Sequence, residues 1–215
     1  MDYLTYWDSL IKIIQNEAKN YWIKYILNNK YNEEAFKNFF VSPRNTFIKY
    51  CKDNFLNCSS IAGTILEWTF TQFLIAGVDI LKKDTIVDVV NGHQIPFKWK
   101  TSKNKKLNLD IVIKNKKSSK LYYAFEIKTA FEDNFNKYRE EEKIIYHQRE
   151  KAFPNFKYYY ISIDKIPKVL IEKNKRDITT LINRKELYLI NSFYSKETSI
   201  EMLLKNIVND IMEIK

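Results

Sequence analysis

Two segments of largely alternating apolar and polar residues in the middle of the chain limit how it can fold. They are 107–113 (LNLDIVI) and 121–128 (LYYAFEIK), and the lysines, serines and asparagine of 114–120 separate them. Side chains of a strand alternate between its two faces, so Phe125 and Ile127 are expected to point into a core. Two such runs on either side of a turn-like segment predict a β-hairpin.

Three charged residues lie on the two strands of this hairpin, at positions that strand pairing would bring together. Asp110 lies in the first predicted strand, while Glu126 and Lys128 lie two residues apart in the second and share a face. Pairing of the strands brings Asp110 beside Glu126. Two carboxylates and one ammonium can bind a hard divalent cation and activate a water near a phosphate. This constellation predicts a metal-dependent nuclease.

Each of these residues has a chemical role to fill around Mg²⁺, which takes oxygen ligands and keeps several waters when carboxylates are few. Asp110, Glu126 and the backbone carbonyl of Ile127 would leave coordination positions for a scissile phosphate oxygen and a water. Lys128 would orient that water or help to deprotonate it, and would stabilise negative charge on the phosphorus.

A further carboxylate lies upstream, in a segment that is apolar almost all round. Residues 59–76 are predicted to form a buried helix, with Ser59 or Ser60 as N-cap and Gly77 just past its end. Glu67 is the only charged residue between positions 54 and 78. An unpaired buried carboxylate is costly, so Glu67 is expected to form a structural ion pair or to be a third ligand of the metal site.

These residues resemble the motif of the PD-(D/E)XK nuclease superfamily, best known from type II restriction endonucleases. The motif reads Leu109-Asp110 and then Glu126-Ile127-Lys128, with Leu109 in place of the usual proline, and the resemblance covers about residues 59–164. It implies that Glu67 is the auxiliary metal ligand found on the preceding helix in many members. It also implies a restriction-endonuclease-like fold, Mg²⁺ as cofactor and double-stranded DNA as substrate.

The charge of the chain favours a polyanionic partner. Its 36 basic and 26 acidic residues give a net charge of +10, and residues 98–120 hold nine lysines against the single acid Asp110. Such a field suits nucleic acid, although lysine runs are also common in solvated loops. The candidate DNA contacts are Lys103, Lys105, Lys106, Lys143, Gln148 and Arg149.

Periodicity predicts an α/β (α+β) arrangement with a mixed central sheet covered by helices. An N-terminal helical region, 1–58, has helices at 3–28, 32–40 and 44–55, and packs on a nuclease core, 59–215, in one compact domain. The core has strands at 85–90, 94–99 and 156–163 besides the hairpin, and helices at 133–152, 166–183 and 199–214. The apolar stripe of the last helix predicts core packing, with a dimer contact as the alternative, and Tyr158 to Tyr160 are expected to be packed.

Other chemistries find little support in the sequence. Cys51 and Cys58 are too few for a disulfide framework and have no metal-ligand neighbours. His93 is expected in a turn, and His147 is expected to face solvent or a DNA phosphate. The chain has three glycines and no Gly-rich phosphate loop, so no nucleotide cofactor is expected. No signal peptide or membrane span is predicted, which makes the cytoplasm the default location.

Three functions follow in order of support. The first is a type II restriction endonuclease, acting as a homodimer so that both strands are cut. The second is a repair, junction-resolving or transposition nuclease of the same superfamily that reads DNA structure rather than sequence. The third is a non-catalytic, basic DNA- or RNA-binding protein in which the motif is coincidental.

Overall fold

The computed structural model describes residues 3–98, 104–128, 157–163, 175–184, 186–190 and 196–215. They form a mixed α+β chain, as predicted, with two compact units. The first unit comprises 1–86 and 200–215, and the second comprises 87–199. The helix at the start of the predicted nuclease core therefore belongs to the first unit.

In chain order the helices are α1 (Tyr3–Tyr21), a π-helical turn (Trp22–Ile26), α2 (Glu33–Asp53), α3 (Ser59–Ile80), α4 (Lys175–Asn183), a 3₁₀ turn (Lys196–Thr198) and α5 (Ile200–Glu213). The strands are β1 (Val87–Lys98), β2 (Asn104–Asn115), β3 (Leu121–Lys128), β4 (Lys157–Ser162) and β5 (Leu187–Leu189). The helix predicted at 133–152 lies outside the described residues.

The first unit is helical, and its core confirms two predictions. Helix α3 is largely buried, and the indole of Trp22 donates a hydrogen bond to the carbonyl of Phe73 on α3 at 2.8 Å. The predicted stripe of α5 is also core, since it buries Ile200, Leu203, Leu204, Ile207, Val208 and Ile211. Met212, at the end of that stripe, is exposed.

The prediction of two separate helices at 32–40 and 44–55 was wrong, because α2 runs through Pro43 without interruption. A proline inside a helix removes one backbone hydrogen bond and clashes with the preceding turn. Here the apolar stripe of α2 continues on both sides of it, with Phe36, Phe40 and Phe47 fully buried together with Pro43. Burial of this stripe outweighs the local cost.

The expected end of α3 before Gly77 was also wrong, since the helix continues to Ile80. Gly77 does not cap the helix; its lack of a side chain makes room for Trp22 to pack against α3. A Cβ atom at this position would lie 2.2 Å from Cζ2 of Trp22. At the other end of α3, Cys58 occupies the N-cap position and makes no side-chain capping bond, so the prediction of Ser59 or Ser60 as the cap was wrong by one or two residues.

Cys51 and Cys58 are joined by a disulfide bond. Two cysteines are too few for a framework of several disulfides, and this single bridge was not predicted from the sequence. It ties the last turn of α2 to the residue before α3, and the two cysteines are separated by seven positions in the sequence, with six residues between them.

Among the described helices, one segment of α3, Ile61–Ile80, is long and apolar enough to cross a membrane when only length and composition are considered. Within the structure, 61% of its most apolar stretch is buried. This burial is typical of the core helix of a soluble protein.

The described residues of the second unit form a five-stranded mixed sheet in the order β1-β2-β3-β4-β5. The pairs β1–β2 and β2–β3 are antiparallel, whereas β3–β4 and β4–β5 are parallel. The mixed sheet and the predicted hairpin are thus confirmed. The strands expected at 85–90 and 94–99 are one strand, β1, so His93 lies in a strand and its assignment to a turn was wrong.

The face of the sheet opposite the predicted site is an aromatic core. Phe125 on β3 stacks on Tyr159 of β4 with ring centroids 4.9 Å apart, and Tyr159 lies 5.7 Å from Tyr188 of β5. All three of Tyr158, Tyr159 and Tyr160 are buried, which confirms their prediction as a packed strand. This packing holds β3 and β4 side by side beneath the charged residues of the other face.

Candidate functional site

The candidate site lies where the pairing of β2 with β3 ends. The last matched pair of this ladder is Ile111 with Phe125, while β3 continues beside β4 as far as Lys128. Asp110 is the next residue of β2, and its Oδ2 accepts a hydrogen bond from the backbone N–H of Ile127 at 2.8 Å. The carboxylate therefore accepts a backbone hydrogen bond of β3 at the point where the backbone of β2 no longer pairs with it. This bond holds Asp110 next to β3.

Lys128 brings the two carboxylates together. Its Nζ lies 3.3 Å from Oδ2 of Asp110 and forms an ion pair with Oε1 of Glu126. The side chains of Asp110, Glu126 and Lys128 are 16%, 5% and 18% exposed, respectively. Two acids and one ammonium in a mostly buried setting carry a net charge of −1. The prediction that the hairpin places Asp110, Glu126 and Lys128 side by side is therefore borne out in the structure.

The protonation state of Lys128 follows from its neighbours. Burial by itself lowers the pKa of the ammonium, but attraction and hydrogen bonding to Glu126 and Asp110 outweigh it and leave the pKa raised. At neutral pH the side chain therefore carries its proton. In this arrangement Lys128 donates hydrogen bonds and positive charge, which favours the orienting role over the role of a base.

Strand β4 adds two polar positions that the sequence analysis did not assign to the site. Tyr160 is paired with Glu126, and Ser162 is paired with Lys128, and both are fully buried. Residues paired in neighbouring strands lie on the same face of a sheet. No signal in the sequence links β4 to β3, because parallel pairing depends on the intervening connection and not on a short turn.

Strand β1 contributes open space on the other side of Asp110. Asn91 pairs with Ile111 and His93 with Leu109, so Gly92 falls opposite Asp110. Gly92 has a φ of +70°, and a Cβ atom there would meet nothing within 4 Å. Strand β1 therefore has no side chain at the position opposite Asp110. Gly92 falls between the strands predicted at 85–90 and 94–99, so its position inside β1 was not predicted.

Glu67 lies on α3, in the first unit, and is half-buried. Its backbone carbonyl accepts a hydrogen bond from the hydroxyl of Thr71 at 2.8 Å. Membership of the metal site stays a prediction for Glu67, as it does for the backbone carbonyl of Ile127.

The donor set of the site suits a hard cation. Asp110 and Glu126 each direct a carboxylate oxygen at the same positively charged group, and such oxygens are the ligands that Mg²⁺ takes in proteins. In the part of the chain that the structure describes, no cluster of three or more His, Cys, Asp or Glu side chains is present. Two carboxylates are compatible with Mg²⁺, which keeps several waters in its coordination sphere.

Most of the predicted DNA contacts lie outside the residues that the structure describes. Lys103, Lys143, Gln148 and Arg149 are outside the described residues, as is His147. Lys105 and Lys106 lie on β2, opposite Phe97 and Pro96 of β1. Both therefore precede Asp110 on the same strand.

Among the described residues the one histidine is His93, which pairs with Leu109, the residue before Asp110. Burial, followed by the positive charge of Lys114, lowers the pKa of its imidazole. The ring is consequently neutral at physiological pH.

No protein-family model matches the chain, and no curated protein matches it significantly.

Proposed function

We propose that the chain is a Mg²⁺-dependent type II restriction endonuclease that hydrolyses phosphodiester bonds in double-stranded DNA at a specific sequence. The observation that carries the proposal is the convergence of Asp110 and Glu126 on the ammonium of Lys128. This spatial arrangement supports the resemblance to the PD-(D/E)XK nucleases and the restriction-endonuclease-like fold that it implies.

In this proposal Asp110, Glu126 and the backbone carbonyl of Ile127 would hold the metal ion. The bound Mg²⁺ supplies a lowered pKa for a coordinated water and a polarised phosphate. Asp110 is held in place by the N–H of Ile127, so its carboxylate needs little rearrangement to act as a ligand. Lys128 donates a hydrogen bond to the attacking water or to a non-bridging phosphate oxygen.

Lys128 stabilises the transition state by its charge. Negative charge grows on the phosphate oxygens as the water attacks, and an ammonium in a site of low exposure interacts with it more strongly than it would in bulk water. Gly92 lies opposite Asp110 and has no side chain, which would leave room for the substrate beside β1. Basic residues outside the site would contact DNA phosphates; the candidates are Lys103, Lys105, Lys106, Lys143 and Arg149. Contacts to the edges of the bases would set the sequence specificity. A homodimer would cut both strands.

The test is to incubate a long DNA of known sequence with the protein in Mg²⁺ or in EDTA. Glu126→Gln removes one ligand charge and keeps the size of the side chain, and Lys116→Gln is the control, because Lys116 pairs with Asp88 at an exposed position. Discrete fragments that require Mg²⁺ and Glu126, but not Lys116, are expected.

The other outcomes separate the remaining candidates. A smear, or cleavage confined to branched or single-stranded DNA, would point to a structure-directed nuclease. Salt-sensitive DNA binding without any metal-dependent cleavage would point to a non-catalytic binding protein.

A further inference from the structure

The ammonium of Lys128 makes ion pairs with the same two carboxylates that form the candidate metal site. Glu126 is almost fully buried, and Asp110 and Lys128 are mostly buried. Two carboxylates that approach each other in such a setting repel, and the ammonium between them offsets this repulsion.

A divalent cation bound to these oxygens would compete with the ammonium. Like charges a few ångströms apart interact strongly at low exposure, because water screens them poorly. Oδ2 of Asp110 already accepts two hydrogen bonds, one from Ile127 and one from Lys128. The bond from the backbone of Ile127 is fixed by β3, whereas the lysine side chain can move.

We infer that Lys128 is an internal counter-cation that competes with the metal ion for Asp110 and Glu126. Metal binding displaces its ammonium from the carboxylates and makes the N–H donors available to the phosphate or to the attacking water. The site would thereby couple metal loading to activation of its lysine. This inference is conditional on the proposed metal-dependent function.

The inference predicts opposite effects of one substitution on metal binding and on cleavage. Lys128→Gln and Lys128→Met remove the competing charge. Both variants should bind Mn²⁺ with a dissociation constant at least about tenfold lower than that of the wild type. Both should also lose DNA cleavage. A merely structural role for Lys128 would weaken metal binding and cleavage together.

Mn²⁺ binding in the absence of DNA, followed by electron paramagnetic resonance or calorimetry, is the measurement. Lys128→Arg keeps the positive charge and should bind Mn²⁺ no more tightly than the wild type. Lys116→Gln removes a charge from the exposed Lys116–Asp88 pair and should leave the dissociation constant within about twofold. Circular dichroism and the thermal midpoint in EDTA would show whether each variant is folded.

The outcomes distinguish this inference from the proposed function. If wild-type binding requires Glu126 but Lys128→Gln binds Mn²⁺ equally or more weakly, competition is overturned and the metal site stands. If Glu126→Gln binds as well as the wild type, or no variant binds Mn²⁺, the metal site itself fails and the inference fails with it.

Discussion

The carboxylate of Asp110 accepts a hydrogen bond from the backbone N–H of Ile127, across the point where β2 and β3 cease to pair. A residue proposed to bind metal therefore also completes the hydrogen bonding of the sheet. Catalysis and stability can be separated at this position, because the two roles need different properties of the side chain. Ligation needs the negative charge, whereas the N–H of Ile127 needs only an acceptor.

Asp110→Asn and Asp110→Ala should therefore differ in stability although both abolish metal-dependent cleavage. The alanine leaves the N–H of Ile127 without its acceptor, which costs about 1–3 kcal/mol for a buried group. The asparagine oxygen can still accept this bond, so its loss should be smaller. Urea unfolding of the two variants is the measurement. Equal losses would show that the bond to Ile127 contributes little to folding.

The ion pair of Lys128 with Glu126 should show strong coupling in a double-mutant cycle. Lys128→Gln leaves the charge of the nearly buried Glu126 with less compensation, and breaking a buried pair typically costs roughly 3–5 kcal/mol. The lower end is expected, since 18% of the Lys128 side chain is exposed. Adding Glu126→Gln to this variant should recover part of the loss, as measured by urea unfolding. If the two losses were simply additive, the pair would not act as a unit.

Gly77 and Gly63 lie on the same helix and should respond to alanine in opposite directions. At Gly77 the new methyl group would lie 2.2 Å from Cζ2 of the fully buried Trp22, so Gly77→Ala should destabilise by about 1–3 kcal/mol. A Cβ at Gly63 meets nothing within 4 Å, and Gly63→Ala should stabilise by about 0.5–1 kcal/mol through helix propensity. Thermal and urea unfolding of the two variants would test this contrast.

Local periodicity was sufficient to predict the hairpin, α3 and α5, because each buries one regular set of apolar side chains. The placement of Asp110, Glu126 and Lys128 followed from the same alternation. Features that depend on tertiary contacts were not predicted. Helix α2 continues through Pro43 because its apolar stripe is buried on both sides, and Gly77 lies inside α3 because Trp22 packs against it.

The remaining site features could not be predicted for similar reasons. Ser162 and Tyr160 join the site through parallel pairing of β4, which no local pattern specifies. The bond from Ile127 to Asp110 depends on where the β2–β3 ladder ends, and alternation alone gives no end point. The disulfide between Cys51 and Cys58 depends on the turn that brings the end of α2 near α3.

The phenol of Tyr21 should make the protein less stable in alkaline solution. Burial, then the neighbouring Tyr25 and Glu33, raise the pKa of this group above its ordinary value of 10.0. Above that pH the unfolded chain loses the proton that the folded protein retains, so stability falls as pH rises.

Tyr21→Phe should cost about 1 kcal/mol at neutral pH, because the hydroxyl donates a 2.9 Å hydrogen bond to the carbonyl of Asn32. The difference between variant and wild type should then shrink above pH 10.0, as measured by urea unfolding at several pH values. A constant difference across this range would show that Tyr21 titrates alike in the folded and unfolded states.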